Sequence, residues 1–333
     1  MKSQNQNGQA SPSKSKGRGC LIWLNRIMIS IIGFSLLGYI FEPMAEAADT
    51  KAYPPPGQMV DVGGHRLHIN CTGTGGPTVV IEAGLGDWST GWDVVQEGVA
   101  KSTRVCTYDR AGWGWSEAGP LPRDAVQFAK ELHTLLQNAH IPGPYVMVGH
   151  SLGGLAVRVF AHEYASEVAG VVLIDSMSPR QFTQSQGGAQ SQTGTQSQPF
   201  SPPAMLARFG IVRLLARPLG IMPAVPSEED AYFSRMVRPQ SAQTLTNESQ
   251  GMPAADVEAA AVKTFGDLPL IVLTAKLNNI PGWQEWQTEL LQLSPNSQQL
   301  FAESGHNIHF EKPDAAVAAI LQMVEQVRQS IQK

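Results

Sequence analysis

The chain has 333 residues, 42% of them hydrophobic, and its 24 basic and 28 acidic side chains leave a net charge of −4. Such a chain buries either one large core carrying an inserted subdomain or two cores, and with no Lys/Arg stripe in the part expected to fold, nucleic acid is excluded as the main partner. Cys20, Cys71 and Cys106 have neither the density of a disulfide framework nor the Cys/His spacing of a zinc site, so no metal is expected.

Residues 1–19 are polar and carry Lys2, Lys14, Lys16 and Arg18, after which Cys20–Leu24 and Ile27–Phe41 form an apolar stretch interrupted by Asn25 and Arg26. A basic flank, a short apolar run and the small-residue sequence Ala45-Glu46-Ala47 describe an export signal. If the whole stretch inserts with Arg26 snorkelling, it is instead an uncleaved anchor. Residues 1–48 are therefore expected to be a signal peptide or membrane anchor. Either places the remainder outside the cytoplasm, as a periplasmic, extracellular or outward-facing anchored protein. Cys20 precedes the apolar run, unlike a lipoprotein modification site.

A Tyr53-Pro54-Pro55-Pro56-Gly57 linker leads into Met59–Val62 and Arg66–Cys71, alternating segments joined through Gly63-Gly64 as in a hairpin. Thr78–Ala83, Arg104–Tyr108, Tyr145–Val148, Val168–Ile174 and Leu268–Thr274 are β-branched, nearly continuous apolar runs, the pattern of parallel strands buried on both faces. Gln298–Ala302 is the last predicted strand. Helical spacing separates them, at Ala125, Phe128, Leu132, Leu135, Leu136 and Ala139, at Leu155–Tyr164 and at Ala315–Ile331. This alternation predicts an α/β sheet led by an antiparallel hairpin. Cys71 ends one strand and Cys106 lies in another. Buried free thiols are the simpler reading, and a disulfide stays open if those strands are neighbours in an oxidising compartment.

The rhythm breaks at Thr183–Pro199, a Gln/Ser/Gly/Thr tract expected to be disordered, followed by helical patterns at Ala204–Arg217, Glu228–Val237 and Ala254–Phe265. Because Leu268–Thr274 then resumes the sheet pattern, residues 179–266 are expected to be a cap or lid inserted into a core formed by 49–178 and 267–333. An insertion between a strand and its helix lies at the carboxyl edge of the sheet, where ligands bind.

The chemistry concentrates at Gly149-His150-Ser151-Leu152-Gly153-Gly154, between an apolar strand and a helical pattern. A serine nucleophile on a strained strand-to-helix turn requires this context, with glycines where a Cβ would collide with the neighbouring chain. Serine needs a base, and His306, in Glu303-Ser304-Gly305-His306, occupies a loop at a strand's carboxyl end. His309 is the alternative, although a place at the loop surface or in loop packing suits it better. His150 is expected to support the loop, and His65, His68, His133, His140 and His162 read as surface or structural residues. The third group should be a carboxylate at another strand end. Leu273-Thr274-Ala275-Lys276-Leu277-Asn278-Asn279 offers none, whereas Val168–Ile174 runs into Asp175. Asp175 is favoured, with Glu285 and Glu289 as alternatives that otherwise form a solvated helix face. Leu85, in Gly84-Leu85-Gly86-Asp87-Trp88, and Leu152 are the expected backbone donors of an oxyanion hole. Asp109-Arg110 reads as a structural pair that fixes loops. Trp88, Trp92, Trp113 and Trp115 either line the site or pack beneath it.

The segments EAGLGDWS, YDRAGWGWS, GHSLGG, LIDSMSP and SGHNIHF, in this order, resemble the α/β-hydrolase superfamily, particularly its esterase and lipase branch, from about Met59 to the C-terminus less the insertion. The resemblance implies an eight-stranded, mostly parallel sheet flanked by helices, with the second and fourth strands adjacent, and Ser151, Asp175 and His306 as triad without a cofactor. Two departures stand out: Ala83-Gly84 replaces the His-Gly of many members, and the acid after the seventh strand is missing. Serine at the elbow disfavours the branches that use Asp as nucleophile. The expected function is cleavage of an ester-type bond in a small, hydrophobic substrate through an acyl-enzyme on Ser151. Competing readings are a catalytically silent, membrane-tethered binding protein, and a lyase, peptidase or acyltransferase with the same triad. Oligomeric state is not legible.

Overall fold

In the computed structural model, which describes residues 16–179, 200–221 and 229–331, the apolar runs form one eight-stranded sheet. Its strands are β1 (Gln58–Asp61), β2 (Arg66–Thr72), β3 (Thr78–Glu82), β4 (Val105–Tyr108), β5 (Tyr145–His150), β6 (Val168–Ile174), β7 (Leu270–Ala275) and β8 (Ser297–Ala302), in the order β1-β2-β4-β3-β5-β6-β7-β8. β1 pairs antiparallel with β2 and β2 antiparallel with β4, and the remaining pairings are parallel. Every residue of β3, β4, β5 and β7 is buried, which is why these strands read as continuous apolar runs and not as alternation.

The helices are α1 (Lys16–Ala52), α2 (Asp93–Ala100), α3 (Ala125–Asn138), α4 (Leu152–Glu163), α5 (Pro202–Arg208), α6 (Ile211–Leu215), α7 (Glu229–Met236), α8 (Pro239–Ala261), α9 (Trp283–Leu290), α10 (Ile308–Glu311) and α11 (Pro313–Ile331). Phe128 and Leu132 of α3 and Leu155 and Phe160 of α4 cover one face of the sheet. Val95 and Val99 of α2 and Ile320, Met323 and Val327 of α11 cover the other. Asp124 caps α3 by accepting a hydrogen bond from the Gln127 N–H at 2.9 Å. The carboxyl ends of β3, β5, β6, β7 and β8 share one edge, so the loops that open at Ala83, Ser151, Asp175, Lys276 and Glu303 converge there.

Four features differ from the sequence reading or go beyond it. Cys71 and Cys106 are direct cross-strand partners of β2 and β4, with Cα atoms 4.0 Å apart, and form a disulfide, so they are not free thiols. The helix expected from Ala254 begins at Pro239 and passes through Pro253. Proline removes one donor, but the packing of this helix against α3, α4 and α5 carries it through. The helix expected over Ala204–Arg217 breaks at Gly210, whose φ of 70° is costly for other residues. The leader is one 37-residue helix, α1, continuous through Pro43 and Ala45-Glu46-Ala47. From Ile22 to Ala52 it is long and apolar enough to cross a membrane, by length and composition. The Gln/Ser/Gly/Thr tract at Thr183–Pro199 lies outside the described residues.

Candidate active site

Ser151 sits between β5 and α4 at φ 50°, ψ −123°, a conformation that a non-glycine residue adopts only under constraint. The constraint comes from its glycines. A Cβ on Gly149 would lie 2.7 Å from Gly154 Cα, and one on Gly153 would lie 2.4 Å from the carbonyl oxygens of Glu82 and Ala83. One on Gly154 would meet the Ser176 side chain. The turn is thus wedged between the β3 end and the β6 loop. The Ser151 carbonyl accepts hydrogen bonds from the N–H groups of Gly154 and Met177, both at 3.0 Å.

The side chains expected at separate strand ends are brought together. His306 Nε2 lies 2.9 Å from Ser151 Oγ, and His306 Nδ1 lies 2.7 Å from Asp175 Oδ2. With the Nδ1 proton directed at the carboxylate, Nε2 is free to accept from the serine hydroxyl, and the hydrogen-bond network thus sets the tautomer. Asp175 is completely buried, at φ 40°, and is held by more than the imidazole. The Ala275 N–H and Trp283 Nε1 donate to its Oδ1 at 2.9 and 2.8 Å, and Asn278 Nδ2 donates to its Oδ2 at 2.8 Å. These donors, with the imidazole, satisfy the oxygens of a carboxylate that is withdrawn from water.

Asn278 and Trp283 went unrecognised in the sequence. Asn278 stands in the β7 loop, in the stretch noted there only for lacking an acid, and serves the carboxylate from the neighbouring strand. Glu285 is exposed on α9, because that helix turns Trp283, Gln287 and Leu290 inward at i, i+4 and i+7. Gln287 Nε2 donates to Ser176 O at 2.6 Å, fastening α9 to the Asp175 loop.

Opposite Ser151 lies the loop after β3. Asp87 N–H bonds back to Gly84 O, closing a turn around Leu85 and Gly86. Gly84, Leu85, Gly86, Ser151, Tyr232 and His306 are among the residues that line a cavity of about 160 Å³. A Cβ on Gly84 would fall 3.2 Å from Ser151 Cβ and 2.7 Å from His150 Nδ1, so this glycine sets how closely the loop approaches the serine. Leu152 is the first residue of α4, where backbone N–H groups have no partner within the helix.

Arg110 fixes that loop. Its guanidinium donates to the carbonyls of Ala83 and Gly84 at 2.6 and 2.8 Å, to Glu82 Oε1 at 2.9 Å and to both carboxylate oxygens of Glu248 on α8 at 2.8 and 2.9 Å. Burial opposes its charge, but the Glu248 and Glu82 carboxylates outweigh that, and its pKa is raised. Tyr108 closes the cluster with a hydrogen bond to Glu82. Asp109 accepts from Ser89 N–H and Trp115 N–H and faces His68 Nδ1, all at 2.9 Å. The pair is structural in its contacts, as its place in the sequence suggested.

His309 is not at the loop surface. Its ring is buried, stacks on Trp92 with centroids 4.3 Å apart, and places Nε2 3.1 Å from Asp87 Oδ2. His150 turns away from the serine hydroxyl, and its Nε2 lies 3.1 Å from the His306 carbonyl. Burial and the neighbouring His309 and His306 push the His150 pKa well down, so its ring is neutral. None of the four tryptophans lines the cavity. Trp88 stacks on Tyr232 and Trp113, and Trp115 packs on His68.

Known proteins are similar to this chain to different extents. A Bacillus subtilis relative, the uncharacterized protein YqjL, is 27% identical over 257 residues, covering 74% of this chain and 83% of that protein. A probable transporter of Hormonema carpetanum, efuK, is 35% identical over 126 residues, which are 35% of this chain but 18% of that much longer relative. Among solved structures, a thermophilic esterase from Thermogutta terrifontis superposes with a TM-score of 0.60 at 20% identity, covering 81% of this chain and 98% of the esterase. Residues 77–313 match the family described as the alpha/beta hydrolase fold. With that match, the sheet order and the strand–Ser151–helix turn at its centre, the chain belongs to the α/β-hydrolase fold family.

Proposed function

We propose that the chain is a serine hydrolase that cleaves an ester-type bond through an acyl-enzyme on Ser151. The observation that carries this reading is the unbroken relay from Ser151 Oγ to His306 Nε2 at 2.9 Å and from His306 Nδ1 to Asp175 Oδ2 at 2.7 Å. His306 takes the hydroxyl proton as Ser151 attacks the acyl carbon, and returns it to the leaving alkoxide. Asp175 holds the ring and stabilises the imidazolium. The N–H groups of Leu85 and Leu152 face the oxyanion that forms, and water then repeats the cycle to release the acid. The Thermogutta esterase shares the fold on which this chemistry would run.

In this reading the β6–β7 connection, α5 to α8, is a cap. Tyr232 of α7 contributes to the wall of the cavity at Ser151, and Leu245 of α8 lies against Gly86. The small cavity, with Leu85 and Phe310 among its lining residues, suits a small acyl or alkyl group with a hydrophobic part, and in this reading α1 anchors the enzyme in a membrane with the core on its outer side.

Incubation with a fluorophosphonate probe tests the proposal. Wild-type protein is expected to be labelled on Ser151, and Ser151→Ala and His306→Ala to be unlabelled. Labelling that survives Ser151→Ala, or its absence in the wild type, contradicts it.

A further inference from the structure

The end of α1 is built into the fold in a way that a disposable leader is not. Glu42 is only 1% exposed, in a helix whose large apolar residues from Ile22 to Phe41 are open to the outside. It is covered by Arg213 of α6, whose Nε and Nη2 bond its carboxylate at 2.8–3.2 Å while Nη1 reaches Asp49 Oδ2 at 2.8 Å. Arg238 adds a bond to Glu46 Oε1 at 3.2 Å. At Gly38 the cap backbone comes so near that a Cβ would lie 2.0 Å from Phe209 O, and the Tyr39 and Phe209 rings are 6.3 Å apart. Cleavage after Ala47 would remove Glu42 and Glu46 and leave Arg213, a largely buried cation, with Asp49 alone.

The same contacts set a depth. At 1.5 Å per residue, Ile22–Phe41 spans about 30 Å, the thickness of the hydrocarbon layer. Gly38 lies one helical turn, about 6 Å, inside the polar boundary marked by Glu42. Phe209, seated on Gly38, shares that depth, which falls within the roughly 5–10 Å to which interfacial helices sink. Around Phe209 the cap turns Ala204, Ala207 and Ala216 inward and leaves Met205, Leu206, Leu214, Leu215, Leu219 and Ile221 between 41% and 73% exposed. Arg208 is exposed on the same segment, a cation of the kind that such a surface presents to lipid phosphates, while Arg217, also exposed, is paired with Asp230.

We propose that α5, α6 and the turn to Ile221 form a membrane-seated face. It rests in the headgroup–acyl boundary of the bilayer that α1 crosses, on the side of the sheet, and α1 is retained on the mature protein to hold it there. The exposed apolar residues are continuous with the anchor, and their covering is lipid. This inference is independent of whether Ser151 turns over a substrate.

The test uses the full chain with Cys20→Ser, reconstituted in phosphatidylcholine–phosphatidylglycerol nanodiscs. A bimane label is placed on Leu214→Cys, on Leu219→Cys or, as control, on Lys101→Cys at the amino edge of the sheet. Lipids with a nitroxide near the headgroup are expected to quench the labels at 214 and 219 several-fold more than the label at 101, and aqueous iodide to do the reverse. Iodide quenching at 214 and 219 equal to that at 101 overturns the proposal. So does shielding from both quenchers in a dimeric sample, which assigns the face to a second copy of the chain. The intact mass of protein recovered from membranes is expected to include the residues before Ala47, and a mass that begins after Ala47 contradicts retention of α1.

Discussion

The sheet edge and the cap meet at Ser151, and they are built on different principles. At the edge, five loops leave the carboxyl ends of a largely buried sheet, Ser151 and Asp175 both hold positive φ, and glycines fill the close approaches around the serine. The cap combines short helices with the 23-residue α8 and is tied down by charged side chains, Arg110 to Glu248, Arg213 to Glu42 and Arg238 to Glu46, with much apolar surface turned outward. Chemistry that requires sub-ångström placement belongs on the first kind of structure, and access and location on the second. Substitutions at the edge should therefore remove turnover without unfolding, and those in the ties should loosen the fold.

The largest expected effect is at the edge. Asp175→Asn should lower kcat for a p-nitrophenyl ester by about 10³–10⁴-fold, because the amide no longer holds the imidazole in the productive tautomer. Glu285→Gln and Glu289→Gln should leave kcat unchanged, which side-by-side ester assays will check. In the tie, Arg110→Leu leaves the Glu82 and Glu248 carboxylates buried and unpaired. That should cost about 3–5 kcal/mol of stability, read from the urea midpoint. A smaller change separates holding the acid from being it. Asn278→Ala deletes one of three protein donors to Asp175, besides the imidazole, and should reduce kcat/KM about tenfold, with Asn278→Asp not restoring it.

The smallest effect concerns a group in α8 away from the site. Burial, partly offset by Arg158, raises the Asp256 pKa to about 7, and neither carboxylate oxygen has a hydrogen-bond partner. Because the folded pKa lies above the unfolded one, this group favours the fold fully below about pH 4, and that contribution is lost as the pH rises toward 7. Asp256→Asn should therefore raise Tm by a few degrees at pH 8, and the advantage should vanish near pH 4, as melting curves across that range will show.

How much of this was legible in the sequence follows the same division. The central strands could be read because burial on both faces leaves unbroken apolar runs, and Ser151 and Asp175 stood out because each follows directly on such a run, whereas His306 was marked by its loop position after β8, which is only partly buried. Asn278 and Trp283 could not, since they act on a carboxylate more than 100 positions earlier and nothing local marks them. The pairing of Cys71 with Cys106 depended on β2 and β4 being neighbours, a matter of topology and not of local pattern. In the cap, Pro253 suggested a helix start that packing overrides, and beyond β8 His309 looked like a loop residue although Trp92 and Asp87 enclose it.

In the proposed mechanism Ser151 carries the acyl group. Rapid acid quenching of the wild-type protein during turnover of a p-nitrophenyl ester, followed by peptide mass mapping, tests it directly. The acyl mass is expected on the peptide that contains Gly149-His150-Ser151 and is expected to be absent in Ser151→Ala. Turnover without that adduct, or an adduct elsewhere, for example at His309, would contradict it.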